Sequence, residues 1–231
     1  MNTQFISRQY KGQSLLTFPS DYVIIDIETT GFNSKSDEII EIGAVKVTNN
    51  KISSIFQSLA QPRNPISNYI SNLTGISNDM LAKTNPITMV LDSFLSFVGD
   101  HVLIGHNINT DVNFLYDQCE IHLHQYFKND YIDIKALFRE QQQAAENYRI
   151  TTLCEKCALQ NTHAHRALSD CLAVNNLYQS LKTHAGIINC VEDLDNLILV
   201  SEFKNNHSPY HKQCQKQQKK QETDTPIFMA P

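Results

Sequence analysis

The chain has 231 residues, of which 41% are hydrophobic and 19% charged, with a formal net charge of -5. That length lets one domain with appendages bury a sizeable core. No apolar run approaches the roughly 18 residues of a membrane span, and the short patch from Leu15 to Phe18 is too brief for a secretion signal, so a cytoplasmic protein is expected. Six scattered cysteines are read as free thiols rather than a disulfide framework. Seven dispersed glycines write no dinucleotide fingerprint, Walker loop or nucleophile elbow. The acidic balance argues against gripping nucleic acid through a broad basic surface, though not against a local contact.

In chain order, Tyr22 to Ile27 is a nearly continuous, β-branched run expected of a buried central strand. Ile39 to Val47 and Ile52 to Phe56 flank Asn49-Asn50, a pair that tolerates the positive φ of a tight hairpin. The first three strands therefore form an antiparallel meander. The polar stretch from Gln61 to Pro86 reads as a long loop with one short helix after Ser77. Leu91, Phe94, Leu95 and Val98 repeat at helical spacing and stop at Gly99. Val102 to Ile104 is a short strand, and Val112, Leu115, Tyr116 and Cys119 mark the next helix, with Phe114 expected in the core. A short strand near Tyr131 and helices over 133–142, 151–158 and 166–184 complete the pattern. This is an α/β fold with a central mixed five-stranded sheet, the meander plus parallel strands, flanked by helices.

Asp26 and Glu28 alternate onto one side of the most buried strand, roughly 6 to 7 Å apart between Cα atoms. Asp111 opens the helix that follows the Val102 to Ile104 strand. Asp170 borders the inward face of a helix that carries Ala167, Cys171, Val174, Tyr178 and Leu181. Taken singly, these carboxylates have ordinary explanations: a strand exit into solvent, or a helix N-terminus. Together they form a charge of -4 that desolvation would neutralise unless cations compensate it. Two Mg²⁺ or Mn²⁺ ions would cancel it, and oxygen-only ligands suit those hard ions. A metal pair about 3.5 to 4 Å apart stabilises both the attacking and the leaving oxygen of a phosphoryl displacement.

Three segments carry a resemblance: Asp26-Ile-Glu28-Thr-Thr-Gly31, then His106-Asn107 with Asp111 and Phe114-Leu115, then His165-Arg-Ala-Leu-Ser-Asp170. In this order and spacing they resemble the three exonuclease motifs of the DEDDh 3′-to-5′ exonucleases. The proofreading exonuclease of bacterial DNA polymerase III, as the epsilon subunit or as the domain within the Gram-positive polymerase, is the nearest in appearance. The resemblance runs from about Tyr22 to Leu181 and includes Leu73-Thr74-Gly75-Ile76. It implies a ribonuclease H-like fold and metal-dependent release of nucleoside 5′-monophosphates from single-stranded or frayed DNA. Asp26, Glu28, Asp111 and Asp170 would be the ligands of two Mg²⁺ or Mn²⁺ ions, with Asp26 shared. His165 would be the general base, a role that suits a group titrating near neutrality. Thr29, Thr30, Gly31, Thr74 and Asn107 would line the terminal nucleotide.

On this reading residues 1–20 are an N-terminal extension, 21–186 the exonuclease domain, 187–203 a helical extension and 204–231 a disordered tail. An RNA 3′ end is the alternative substrate. A silent scaffold in a replication or repair complex is the alternative from another class, and a polymerase or repair subunit is a possible partner. Cys154-x-x-Cys157 with His163 and His165 has zinc-like spacing, yet both cysteines fall on an apolar helix side, so core packing is expected. The lysines of the tail suggest at most a loose hold on nucleic acid.

Overall fold

The computed structural model describes residues 8–141, 145–157, 159 and 166–187. All of them fall in one unit, Met1–Asn189, and the second unit, Cys190–Pro231, lies outside them. The expected helical extension and tail are therefore, Ile187 apart, outside the described residues.

The central strand β1 (Tyr22–Thr29) is buried through Ile25 and half-buried from Asp26 onward. It pairs antiparallel with β2 (Ile39–Thr48), which pairs antiparallel with β3 (Lys51–Gln61). Asn49 and Asn50 take φ of 50° and 63° at the hairpin, as their residue type allows. Beyond β3 come α1 (Asn68–Thr74), α2 (Asn78–Leu81), β4 (Asn85–Pro86) and α3 (Ile87–Val98). The other half holds β5 (Leu103–Gly105), α4 (Asn109–Leu123), β6 (Tyr131–Asp133), α5 (Ile134–Glu140), α6 (Ile150–Lys156) and α7 (Ala167–His184). The sheet order is β4-β3-β2-β1-β5-β6, with β5 and β6 parallel to β1. The five expected strands are present, and the sixth, β4, adds only two residues beside Ala60 and Gln61.

One correction concerns the segment expected to be a loop. Residues 68–74 form α1, capped by the Ser67 hydroxyl, which accepts from the Ile70 amide at 3.3 Å, and closed by Gly75 at φ 70°. The segment folds because Ile66, Ile70, Ile76 and Leu81 bury against Ile40 and Leu59.

Alternation along the strands separates two faces. Val23, Ile25, Ile42 and Ala44 pack on α3 and α4, where Phe114 is buried as expected. The opposite face presents Tyr22, Ile24, Asp26 and Glu28 from β1 and their partners Val47, Val45, Gly43 and Glu41 from β2. This face receives α7, which is tied to the sheet through Tyr22 Oη, Asn175 and Gln179. A Cβ at Gly43 would lie 2.5 Å from the backbone of Ala167 and Leu168, so only a glycine lets the start of α7 descend this far. The outer edge of β6 is covered as well. Residues 13–15 run parallel to it, with the Leu15 amide donating to Tyr131 O at 2.8 Å and the Tyr131 amide to Gln13 O at 2.9 Å.

Candidate active site

At the C-terminal end of β1, the strand's own alternation brings Asp26 and Glu28 onto the α7 face. The register with β2 shifts between Glu28 and Thr29, and this irregularity ends the regular pairing as the chain leaves the sheet. Asp170 sits in the first turn of α7, lowered to the sheet over Gly43, which lies directly opposite Asp26. Asp26, Glu28 and Asp170 each present a carboxylate oxygen within 4.8 Å of the others.

Asp111 arrives by a different route. β5 ends at Gly105, so β1 loses its parallel partner before Ile27. Asp111, in the first turn of α4, occupies the open position and accepts the Ile27 amide at 3.2 Å. Its carboxylate thus satisfies a ladder donor and stands beside Asp26 at the sheet's end. The four expected acidic residues therefore converge. His165 lies outside the described residues, and Arg166, which follows it in the chain, is the N-cap residue of α7.

The electrostatics follow from crowding. Burial, then Asp111, Glu28, Asp170 and Glu41 in turn, hold the Asp26 carboxyl well above the usual carboxylate range. Burial first, and then Glu41, Asp170 and Asp111, raise Glu28 to about 8, with Arg166 opposing. Burial and Asp133 raise Asp111 to about 7 against the backbone amides of Asp111 and Ile27. A cluster of oxygen donors that takes up protons for want of positive charge is a fitting seat for hard divalent cations.

The pH dependence has a definite sign. Glu28 moves from 4.5 in the open chain to about 8 in the fold, so the folded, metal-free protein holds that proton more tightly. Its contribution is full below 4.5 and is lost as pH rises through about 8. The Tm without metal should therefore fall across that interval. Added Mg²⁺ should raise the Tm by an increment that grows with pH. An increment that shrinks from pH 5 to pH 8 would contradict a carboxylate metal seat.

The residues expected around the nucleotide are placed unequally. Thr29 Oγ1 donates to Gly31 O at 2.6 Å, and Thr30 Oγ1 accepts the Glu38 amide at 2.9 Å, so both hydroxyls brace the turn after β1. A Cβ at Gly31 would lie 2.5 Å from the Asp37 carboxylate, so a larger residue there has to displace that side chain. The turn is held further by buried Asp117, which accepts from Ser34 at 2.7 Å, Arg8 at 2.6 Å and Lys35 at 3.0 Å. Thr74 is buried, with its hydroxyl donating to Ile70 O and accepting from the Ile76 amide, so it shapes the α1–α2 corner from within. Asn107 is exposed at φ 58°, its amide donating to Asp133 Oδ1 at 2.9 Å.

Three neighbours escaped the sequence reading. Glu41 lies beside Glu28 in the β1–β2 register, fully buried. The only local signal was a charged residue inside an apolar strand. Asp133 caps α5 and bears on Asp111 from the end of β6. Phe32 follows Gly31 in the turn after β1 and is 91% exposed, an aromatic ring in solvent. Cys154 is buried, as expected of core packing, and burial pushes its thiol up to about 11. His163 and His165, the other half of the zinc-like spacing, lie outside the described residues.

The family model described as Exonuclease matches residues 23–178, the span that brings these carboxylates together. The chain belongs to the exonuclease family. The expected enzyme class, an exonuclease-type hydrolase, stands with it, as does the expected ribonuclease H-like fold. A DNA polymerase III PolC-type protein of Caldanaerobacter subterraneus subsp. tengcongensis is 38% identical over 167 residues, 72% of this chain but only 12% of that relative. Among solved structures, Exonuclease X in complex with 5′ overhanging duplex DNA superposes with a TM-score of 0.59 at 24% identity, covering 76% of this chain and 98% of that one. A 3′-exonuclease that recognises the histone mRNA stem-loop superposes at 0.62 with 21% identity, covering 74% and 84%. No helix among the described residues is long and apolar enough to cross a membrane.

Proposed function

We propose that the chain is a divalent-metal-dependent 3′-to-5′ exonuclease that releases nucleoside 5′-monophosphates from single-stranded or frayed DNA ends. The convergence of Asp26, Glu28 and Asp170 within 4.8 Å, with Asp111 at the same strand end, carries this reading. Asp26, Glu28, Asp111 and Asp170 would hold two Mg²⁺ or Mn²⁺ ions, Asp26 being shared. When bound, such ions neutralise the scissile phosphate and the charge developing on both oxygens of an in-line displacement.

The chain's own groups do the rest. His165 takes the proton of the attacking water. The braced turn Thr29-Thr30-Gly31, the corner around Thr74 and Asn107, in the turn between β5 and α4, would line the terminal nucleotide. Phe32 offers an exposed ring on which a base can stack. A duplex end must fray, because the last phosphate has to reach the carboxylates at the sheet's end. DNA is favoured over RNA by the polymerase-type relative, and a larger polymerase or repair assembly is the partner class it suggests. The fold neighbour that recognises an mRNA stem-loop makes an RNA end the second reading. The free thiols Cys119, Cys154, Cys157 and Cys171 suit a cytoplasmic location.

The decisive experiment is digestion of matched 3′-labelled and 5′-labelled DNA and RNA oligomers with Mg²⁺ or Mn²⁺. Single nucleotides released from the 3′ end, a ladder on the 5′-labelled strand and loss of both with His165→Ala are expected. Internal fragments, or full activity in His165→Ala, would overturn the proposal, and the RNA arm decides the substrate class.

A further inference from the structure

Beside the four carboxylates stands a fifth that they do not need. Glu41 is fully buried on the β2 face that receives α7, in register with Glu28. Both its oxygens are engaged. Oε2 accepts Arg166 Nε at 3.1 Å and the Ala167 amide at 3.2 Å, while Oε1 accepts Arg166 Nη2 at 2.8 Å and Gln57 Nε2 at 2.8 Å. A carboxylate held this way by a guanidinium fork, an amide and a backbone N–H has little left to offer an ion. Four carboxylates and two divalent cations already balance, and Glu41 with Arg166 is neutral on its own.

We infer that Glu41 is a positioning residue: by holding Arg166, the residue after His165, against β2, it keeps that guanidinium from competing with divalent ions for Glu28 and Asp170. The inference rests on the metal-ion reading above and deepens it. The effect follows from proximity. Glu28 sits across the β1–β2 ladder from Glu41, whose two oxygens hold the Arg166 guanidinium at 2.8 and 3.1 Å. Removing only the Glu41 charge leaves a flexible cation beside the metal seat, where a nearby opposite charge is strongly attractive.

A packing role and this role differ in a double-mutant cycle read by Mn²⁺ binding, measured by calorimetry on the full chain without nucleic acid. Glu41→Gln keeps the shape and should weaken Mn²⁺ binding about tenfold or more. Glu41→Gln with Arg166→Gln removes the competing cation and should return affinity to within about threefold of the unaltered protein. A double variant as weak as the single one would overturn the inference, since lost packing is not restored by a second loss. If Glu41→Gln does not fold, Arg166→Gln alone decides. Binding at least as tight as the unaltered protein supports the inference, and a tenfold weakening overturns it. Unaltered protein that binds no Mn²⁺ would sink the metal reading, whereas unaltered protein that binds it and Glu41→Gln that binds equally well would sink this inference alone.

Discussion

Asp26→Asn is expected to lose at least about 10³-fold in exonuclease rate, some 4 kcal/mol of barrier, while the metal-free protein becomes more stable than the unaltered one. The two readouts move apart for one reason. Asp26 is the carboxylate on which the most repulsion falls: burial and four neighbouring acids all push its proton affinity up. Without cations, an isosteric amide removes that repulsion and loses no packing, so the apo Tm should rise above neutral pH. With Mg²⁺ the order should reverse, because the unaltered site gains a ligand that the amide cannot replace. Rate assays alone would confuse a lost ligand with a damaged fold. The crossing of the two Tm series with Mg²⁺ separates them. A variant that loses both activity and apo stability would place Asp26 in the architecture rather than at a metal seat.

What was legible in the sequence depended on how local its cause was. β1 announced itself through six apolar or β-branched neighbours, and its period of two put Asp26 and Glu28 on one face before any coordinates. The Asn49-Asn50 hairpin was equally local, since its φ values follow from residue type. Helix α7 was readable because nothing breaks it over 18 residues. By contrast, α1 was hidden by a polar composition: its Ser67 and Gly75 caps were in plain view, but Ile70 and the flanking Ile66 and Ile76 bury against Ile40 of β2 and Leu59 of β3. β4 exists only because Pro86 and Asn85 fall beside the end of β3.

The same division runs through the site. The identities of the carboxylates could be read, whereas the way Asp111 reaches the others could not. Its place depends on β5 stopping short and leaving the Ile27 amide without a strand partner. Glu41 was passed over because its partner Arg166 lies 125 residues away, and a charge in an apolar strand has no local explanation. Phe32 belongs to none of the three motif segments, and only its solvent exposure makes it a candidate surface for a base.

Gly43→Ala should reduce the exonuclease rate by about 10²-fold while destabilising the fold by only about 1 to 3 kcal/mol. Gly43 pairs with Asp26, so the absence of its side chain empties the space directly beside the acidic cluster. Into that space come Ala167 and Leu168, whose backbone atoms would stand 2.5 Å from an added Cβ. Backbone cannot rotate away as a long side chain can, so the first turn of α7 must lift by roughly 1 Å to restore ordinary contact. That turn carries Asp170 and is joined to His165 through Arg166 alone. A lift of this size leaves the apolar seam of α7, from Val174 to Leu181, largely seated, which keeps the stability loss modest. It moves Asp170 away from Asp26 and Glu28, however, and a site whose oxygens lie within 4.8 Å of one another has no slack for that. The expected signature is weakened Mn²⁺ binding and a fallen kcat in a chain that still unfolds cooperatively. An alanine variant with undiminished kcat would mean that α7 is not positioned from β2, and the account of how Asp170 reaches the site would fail with it.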